Sequence, residues 1–112
     1  MTAFVCFCAC PDQAVARRIA DALVDERLAA CVNLLPGLRS VYRWQGGVHC
    51  DDEVLLLIKT TQDKVGMLGD RITALHPYEL PELVAVEVAG GLAAYLAWIH
   101  ESVADAPAPT GD

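Results

Sequence analysis

Three cysteines, Cys6, Cys8 and Cys10, alternate with other residues in an apolar run near the N-terminus. Such a run predicts a short buried strand, in which alternate side chains point to the same face. Thiolates are preferred ligands of Cu(I), so the Cys-x-Cys spacing suggests a soft-metal site. Alternate residues of a straight strand lie about 6.6 Å apart, however, which is too far for two sulfurs on one ion unless the strand bends. The alternative is that these cysteines are small buried hydrophobic residues.

Histidine is the other residue type here that could bind a metal, and His76 has the most informative surroundings. It follows an amphipathic stretch and precedes Pro77, which disfavours helical geometry at the residue before it. We therefore expect a helix to end at Leu75 or His76. An imidazole there could be a metal ligand, or it could interact with the last helix carbonyls and the helix dipole. The two other histidines, His49 and His100, are predicted to face solvent.

Motifs that would indicate an enzyme are missing from the sequence. It contains no G-x-S-x-G, no H-E-x-x-H, no phosphate-binding glycine loop and no Cys-x-x-Cys. A nucleophile and base built from Cys8 and His76 would have no evident oxyanion hole. We therefore predict a binding protein and not an enzyme.

Composition and charge limit the partners and the compartment. The 112-residue chain has eight basic and 15 acidic residues, for a net charge of −7. Nucleic-acid binding rests on clustered Lys and Arg, so that partner is not expected. No apolar run reaches the roughly 18 residues of a membrane span, and the N-terminus lacks the basic start of a signal peptide. The five cysteines, an odd number, then indicate reduced thiols, and we expect a cytoplasmic protein without membrane contact.

Periodicity predicts the element order β-α-β-β-α-β-α in one domain, residues 1–103, followed by a disordered tail, residues 104–112. The first six elements form a split βαβ, or ferredoxin-like, arrangement, an α+β fold with two helices on one face of an antiparallel sheet. Pro36 and Gly37 interrupt the second strand and indicate a bulge or an edge position. Thr61 could cap the second helix. The strands are predicted at 4–10, 31–45, 48–61 and 83–88, and the apolar helix faces at 16–24, 65–75 and 92–103.

Two features of the sheet predict self-association. The strand around Leu57 is apolar on both faces although the helices cover only one, so a copy of the chain is the expected cover. Strands of about 13 residues at roughly 3.3 Å per residue make a hairpin about 43 Å long. A compact globule of this size has a diameter of roughly 34 Å. The hairpin should therefore extend beyond its own subunit and pair with a neighbour's sheet edge.

Aromatic residues on the hairpin suggest a second site. Tyr42 and Trp44 share one face, and a two-residue turn near residues 45–47 would place Glu53 and Lys59 on that face, whereas a three-residue loop would reverse this. Such residues could line a cleft between subunits that binds a small ligand. Alternatively, the aromatics are packing residues and Lys59 pairs with a glutamate. The predicted cleft residues are Tyr42, Trp44, Lys59, Tyr78 and Glu82.

A family resemblance rests on four segments in this order: LAACVNLLPGLRSVYRWQGG, EVLLLIKTT, HPYELPEL and YLAWI. Over roughly residues 5–103 the chain resembles the CutA family, small proteins named for divalent-cation tolerance. The resemblance implies a ferredoxin-like subunit and a tight homotrimer with inward-facing sheets and hairpins that reach across neighbours. It also implies a likeness to the trimeric PII signalling proteins and, in bacterial members, a role in tolerance to copper and other heavy metals.

The resemblance further implies a copper site. The family's proposed site uses a cysteine at the position of Cys8 and two adjacent histidines ahead of Pro-Tyr. The second histidine is present as His76, whereas Leu75 replaces the first. Nitrogen from His76 and sulfur from Cys8 would suit copper or zinc. The expected function is therefore copper or divalent-cation binding in heavy-metal tolerance. The alternative is a PII-like sensor or scaffold that binds a small molecule at subunit clefts without catalysis.

Overall fold

The computed structural model describes residues 2–105, which form a mixed α+β subunit. Its strands form one antiparallel sheet in the order β2-β3-β1-β4, the predicted ferredoxin-like arrangement, so the fold prediction is confirmed. None of the helices among the described residues is both long and apolar enough to cross a membrane. In chain order the elements are β1 (Ala3–Cys10), α1 (Gln13–Asp25), β2 (Cys31–Trp44), β3 (Gly47–Thr61), a 3₁₀ turn (Gln62–Lys64), α2 (Val65–Leu75), β4 (Val84–Glu87) and α3 (Ala93–Val103).

Helix α1 begins where the sequence supplies a cap. The Asp12 carboxylate accepts a hydrogen bond from the Val15 backbone N–H at 2.9 Å, which satisfies one of the donors left free in the first turn. One helix face is buried in the core that it shares with the sheet, as the spacing of its apolar residues predicts. The buried residues of α1 are Ala16, Ile19, Ala20 and Leu23.

The hairpin of β2 and β3 has a two-residue turn and a bulge. Gln45 and Gly46 form the turn, and their φ values of 48° and 79° are typical of a tight hairpin turn. The strand register shifts between Leu35 and Leu38, and Gly37 within this bulge has a φ of 86°. Strand β2 also lies at the edge of the sheet, where a proline is tolerated because its missing N–H can face away from the neighbouring strand. Both predicted roles of the Pro-Gly pair are therefore found together.

The hairpin makes the subunit elongated. The longest dimension is 57 Å, and the radius of gyration is 15.5 Å, compared with about 13 Å for a compact chain of this length. Val41 and Val48, in the outer half of the hairpin, are strongly exposed. That the hairpin pairs with a neighbouring subunit stays a prediction.

Alternation of side chains along β1 separates two faces of the sheet. The helix face carries Cys6, Cys8 and Cys10, which are fully buried in the core that α1 and α2 cover. The open face carries the alternate residues, among which Phe7 and its β3 neighbour Leu57 are only partly buried. Helix α3 contacts one end of the sheet, where the ring of Tyr95 lies next to the Lys59 ammonium. The open-face residues of the central and β4 strands include Val5, Phe7, Leu55, Leu57, Val84 and Val86.

Thr61 does not cap the second helix, contrary to the sequence prediction. A 3₁₀ turn separates it from α2, and its hydroxyl donates to the Asp63 carboxylate instead of accepting from a backbone N–H. Helix α2 therefore begins at Val65 without a side-chain cap. Its stability depends on tertiary packing of Leu68 and Ile72, which are buried in the core.

The last described residues contact the body of the subunit. The Asp105 carboxylate accepts a hydrogen bond from the Lys64 ammonium at 2.8 Å, and the Ala104 carbonyl accepts one from the Arg27 guanidinium at 3.5 Å. Because Lys64 is buried, this carboxylate provides its charge with a partner. Residues 106–112 of the predicted tail lie outside the described residues.

Replacing Leu23 by Ala should lower the free energy of unfolding by about 2–5 kcal/mol, because the truncation leaves a cavity in the core. The matched control is Val24→Ala, on the exposed side of α1, which should change stability by about 0.5 kcal/mol or less. Denaturant unfolding of both variants at one protein concentration measures the difference. Equal losses in the two variants would contradict the core assignment.

Candidate functional site

The ends of β1 and α2 bring Cys8, Cys10 and His76 together. One ligand atom from each residue lies within 4.8 Å of the other two, and all three residues are buried. Cys8 and Cys10 project from the helix face of β1, two residues apart. Helix α2 ends at Leu75, and His76 has an extended backbone with φ −78° and ψ 135°, as expected before Pro77. Within residues 2–105, no other group of three Cys, His, Asp or Glu side chains converges in this way.

Cys10 is the residue that sequence reasoning left out of the metal site. Alternate residues of a straight strand lie about 6.6 Å apart, whereas the two sulfurs lie within 4.8 Å of each other. Two sulfurs on a tetrahedral ion, each about 2.3 Å from it, lie roughly 3.8 Å apart. A small side-chain adjustment is therefore enough for both to bind one ion. The Cys-x-Cys spacing was the signal for this pair.

Both ring nitrogens of His76 have hydrogen-bond partners. Nε2 lies 2.8 Å from the Ala9 carbonyl oxygen, and Nδ1 lies 3.2 Å from the Tyr78 backbone nitrogen. A carbonyl only accepts and a backbone N–H only donates, so Nε2 carries the proton and Nδ1 has the lone pair. A metal that binds either ring nitrogen would replace one of these two hydrogen bonds. The His76 ring therefore bonds to β1 and to Tyr78. These two contacts do not include the alternative expected from the sequence, a bond to the last carbonyls of α2.

The three buried thiols differ in acidity. Burial raises the pKa of Cys6 to about 11. The hydrogen bond between Cys8 and Cys10, and then burial, raise the pKa of Cys8. The same bond lowers the pKa of Cys10, because the Cys8 thiol stabilises the Cys10 thiolate. A metal ion that binds both sulfurs must displace their protons, so the site fits ions with a high affinity for thiolate.

A cavity of about 590 Å³ lies beside the loop that follows His76. Hairpin residues Tyr42 and Trp44 line one side, and Tyr78 of the loop lines another. Glu53 of β3 also lines the cavity and is buried, and its carboxylate accepts a hydrogen bond from the Tyr78 hydroxyl at 2.7 Å. Burial and this hydrogen bond raise the pKa of Tyr78 above its ordinary value.

Four of the five predicted cleft residues line this cavity: Tyr42, Trp44, Tyr78 and Glu82. The fifth, Lys59, pairs with Val5 and Cys31 near the other end of β3, and its ammonium lies 5.9 Å from the centre of the Tyr95 ring. The two-residue turn places Lys59 and Glu53 on the same face, as predicted, but six residues of strand, about 20 Å, separate them. Within one chain, Lys59 is therefore not part of the cavity. Glu53 is the buried carboxylate that the predicted set omitted.

The family model described as CutA1 divalent ion tolerance protein matches residues 4–102. The chain belongs to this family. It is 56% identical over 92 residues to the divalent-cation tolerance protein CutA of Thermus thermophilus, which covers 82% of this chain and 89% of that protein. It is 46% identical over 102 residues to the human protein CutA, which covers 88% of this chain and 57% of the human protein.

Solved CutA structures share the fold. CutA from Xylella fastidiosa has a TM-score of 0.90 at 47% sequence identity, over 93% of this chain and 100% of that chain. The Cut A1 protein from T. thermophilus has a TM-score of 0.87 at 53% identity, over 89% of this chain and 97% of that chain. The names of CutA relatives include a chloroplastic protein of Arabidopsis thaliana and a periplasmic one of Archaeoglobus fulgidus, so the family occurs in more than one compartment.

Iodoacetamide at pH 8 should modify Cys50 quickly and Cys6, Cys8 and Cys10 slowly in the folded, metal-free protein. Only the thiolate reacts, Cys50 is exposed, and the other three are fully buried. The raised pKa values of Cys6 and Cys8 further reduce their thiolate fractions at this pH.

Peptide mass spectrometry after timed quenching measures these rates. The control is protein unfolded in denaturant, in which all five cysteines should react. Rapid modification of the N-terminal peptide in the folded protein would contradict the buried geometry.

Proposed function

We propose that this chain binds copper, or a borderline divalent cation such as zinc, through Cys8, Cys10 and His76, and so serves in tolerance of such ions. The proposal rests on the convergence of two sulfurs and one imidazole nitrogen within 4.8 Å. Thiolate and imidazole suit copper and zinc, whereas magnesium and calcium prefer oxygen ligands. The family's description as a divalent ion tolerance protein supports a metal ion as the ligand.

Leucine has no metal-binding atom, so Leu75 cannot act as a ligand, and Cys10 provides the third donor instead. Leu75 stands where the CutA resemblance implies a histidine, and here it packs, partly buried, against the core. With Cys10 the donor set becomes two sulfurs and one nitrogen, which favours Cu(I) over Cu(II). Free thiols persist in reducing compartments, so we place this function in the cytoplasm. It is a binding function without catalysis.

The proposed functional unit is a homotrimer in which the open faces meet. Val84 and Val86 are about half exposed in the single subunit, and they continue the apolar surface of Phe7 and Leu57. An apolar patch of this kind on a soluble protein is typical of an interface. The elongated hairpin supports the same assembly, since a neighbour's sheet edge would provide partners for its outer half.

A second candidate function is that of a PII-like sensor or scaffold that binds a small molecule. The cavity beside Tyr78 favours it, because about 590 Å³ is in the range of small-molecule sites and its lining combines aromatic and charged groups. Glu53 and Tyr42 project from the open face. The proposed trimer covers that face, so neighbouring subunits would help to enclose the cavity.

Cys8→Ala, Cys10→Ala and His76→Ala should each weaken Cu(I) binding at least tenfold, about 1.4 kcal/mol, because each removes one converging donor. Competition with a chromogenic Cu(I) chelator, under anaerobic and reducing conditions, measures the affinity. The affinity should also rise as pH increases, because the raised pKa of Cys8 makes protons strong competitors at low pH.

The matched control for these variants is Cys6→Ala. Cys6 lies on the same strand and face and is equally buried, but it is outside the converging group. It should bind Cu(I) as wild type does. Similar affinities in all four variants would show that the three residues do not form the site.

Leu57→Asp should prevent assembly, because trimer formation would then bury a carboxylate without a partner. Light scattering of the wild-type protein at micromolar concentration should give the mass of three chains, and that of the variant a lower mass. Met67→Asp, at an exposed apolar position of α2, is the matched control and should remain trimeric. A well-folded wild-type monomer would overturn the assembly proposal.

A further inference from the structure

Lys59 is the one Lys or Arg residue among residues 2–105 that lies on the open face of the sheet. It pairs with Val5 of β1, and its ammonium lies 5.9 Å from the centre of the Tyr95 ring. Within those residues it forms no ion pair. Arg39 and Arg43 alternate to the other face of the hairpin, although Arg43 adjoins the cavity. The remaining basic residues lie in or beside the helices and the 3₁₀ turn: Arg17, Arg18, Arg27, Lys64 and Arg71.

Glu53 is the buried carboxylate on the same face of the same strand. Its Oε2 atom accepts the hydrogen bond from the Tyr78 hydroxyl, and a carboxylate has a second oxygen that can also accept. Lys59 of the same chain is six residues away along β3, about 20 Å, which is too far for an ion pair. The two opposite charges therefore cannot meet within one subunit.

The histidines near Glu53 do not provide the missing cation within the subunit. His49 lies on the open face with its ring stacked on Tyr42, but it is four residues from Glu53, about 13 Å along β3. Both ring nitrogens of His76 are already bonded. The electrostatic effect of His76 falls on Glu82: burial and repulsion from Glu53 raise the pKa of Glu82, and His76 opposes that rise.

Exposed aromatic rings accompany both charges. Tyr42 and Tyr78 line the cavity that contains the buried carboxylate. Tyr95 lies next to the Lys59 ammonium, and the ring of Trp98 is 5.5 Å from that of Tyr95. Each of these four rings belongs to a side chain that is 38–42% exposed in the single subunit. Tyr and Trp are enriched at protein interfaces, so both regions have the composition of a contact surface.

A closed trimer could bring the two regions together. Its interfaces are heterologous, so a residue of one chain meets a different residue of the next. Lys59 and Glu53 both lie on the face that the proposed trimer covers, and a charge covered in this way is unfavourable unless an opposite charge accompanies it. Contact between Lys59 of one chain and Glu53 of the next would meet this requirement for both.

We propose that the Lys59 ammonium of one subunit enters the cavity of the next subunit and pairs with Glu53 there, an arrangement that rests on the proposed trimer. Each cavity is then formed by two chains. One chain supplies Glu53 and the tyrosines at positions 42 and 78, and the other supplies Lys59 and Tyr95. The small-molecule site of the second candidate function is therefore complete only in the assembled protein.

Charge reversal tests the pairing in the full, reduced chain. At a denaturant concentration that partly dissociates the wild type, light scattering measures the chain concentration at which half of the trimer is dissociated. Lys59→Glu and Glu53→Lys should each raise that concentration at least tenfold, because like charges then meet at every interface. The two substitutions together should restore the wild-type value. Asp70→Lys, at an exposed position of α2, is the matched control, since it changes net charge as Glu53→Lys does and should assemble like wild type.

Neutral variants replace these if a reversed charge prevents folding. Lys59→Met and Glu53→Gln should each raise the half-dissociation concentration at least tenfold, and together they should cost no more than the larger single loss, because neither charge is then left without its partner. Losses that simply add, in a chain that still forms a trimer, would overturn the pairing alone. A loss in His49→Gln with none in Lys59→Met would also overturn it, since the histidine would then be the partner. A well-folded wild-type monomer would overturn the trimer as well.

Discussion

The antiparallel pairing of β1 with β3 is the interaction on which the rest of the structure depends. It runs without interruption from Ala3 opposite Thr61 to Cys10 opposite Val54, in the centre of the sheet. Because side chains alternate across a strand, a slip of one residue would exchange the two faces. The observed register directs the three N-terminal cysteines into the core beneath the helices. It directs the alternate residues to the face that the helices leave open.

The end of β1 places the two candidate sites on opposite sides of one strand. Cys8 and Cys10 face the core, whereas Ala9 between them lines the cavity. The His76 ring joins the two sides, since it donates to the Ala9 carbonyl and accepts from the Tyr78 backbone N–H. The Tyr78 hydroxyl in turn donates to Glu53. Tyr78 therefore contacts both candidate sites, through its backbone N–H on the His76 side and through its hydroxyl on the Glu53 side.

The isolated subunit has two unfavourable features that a binding partner would relieve. The open face leaves valine and leucine side chains in contact with water, and burial of apolar surface is the main favourable contribution to association. Glu53 is buried, and within residues 2–105 its carboxylate is bonded to the Tyr78 hydroxyl and not to a cation; a charge in such surroundings is stabilised by an opposite charge. The first feature supports the proposed self-association. Both lie on the side of the sheet that α1 and α2 do not cover.

The sequence by itself determined the fold and much of the local geometry. Period-2 and period-3.6 patterns predicted the order of strands and helices, the Pro-Gly pair predicted the bulge, and Pro77 predicted the end of α2. These signals are local, because each depends on the backbone preferences of a few neighbouring residues. The family resemblance singled out Cys8 and His76, which the structure places close together.

Tertiary structure alone decided which of these residues meet. The Cys-x-Cys spacing put Cys8 and Cys10 on one face, but backbone spacing along a strand does not give the distance between two sulfurs, and their convergence with His76 depends on the fold. Lys59 shares a face with Glu53, as predicted, but the length of β3 keeps it away from the cavity. The burial of Glu53 depends on Tyr78, which the loop after α2 brings to it from 25 residues further along the chain. Contacts of this kind depend on how remote segments pack, and residue periodicity carries no information about that packing.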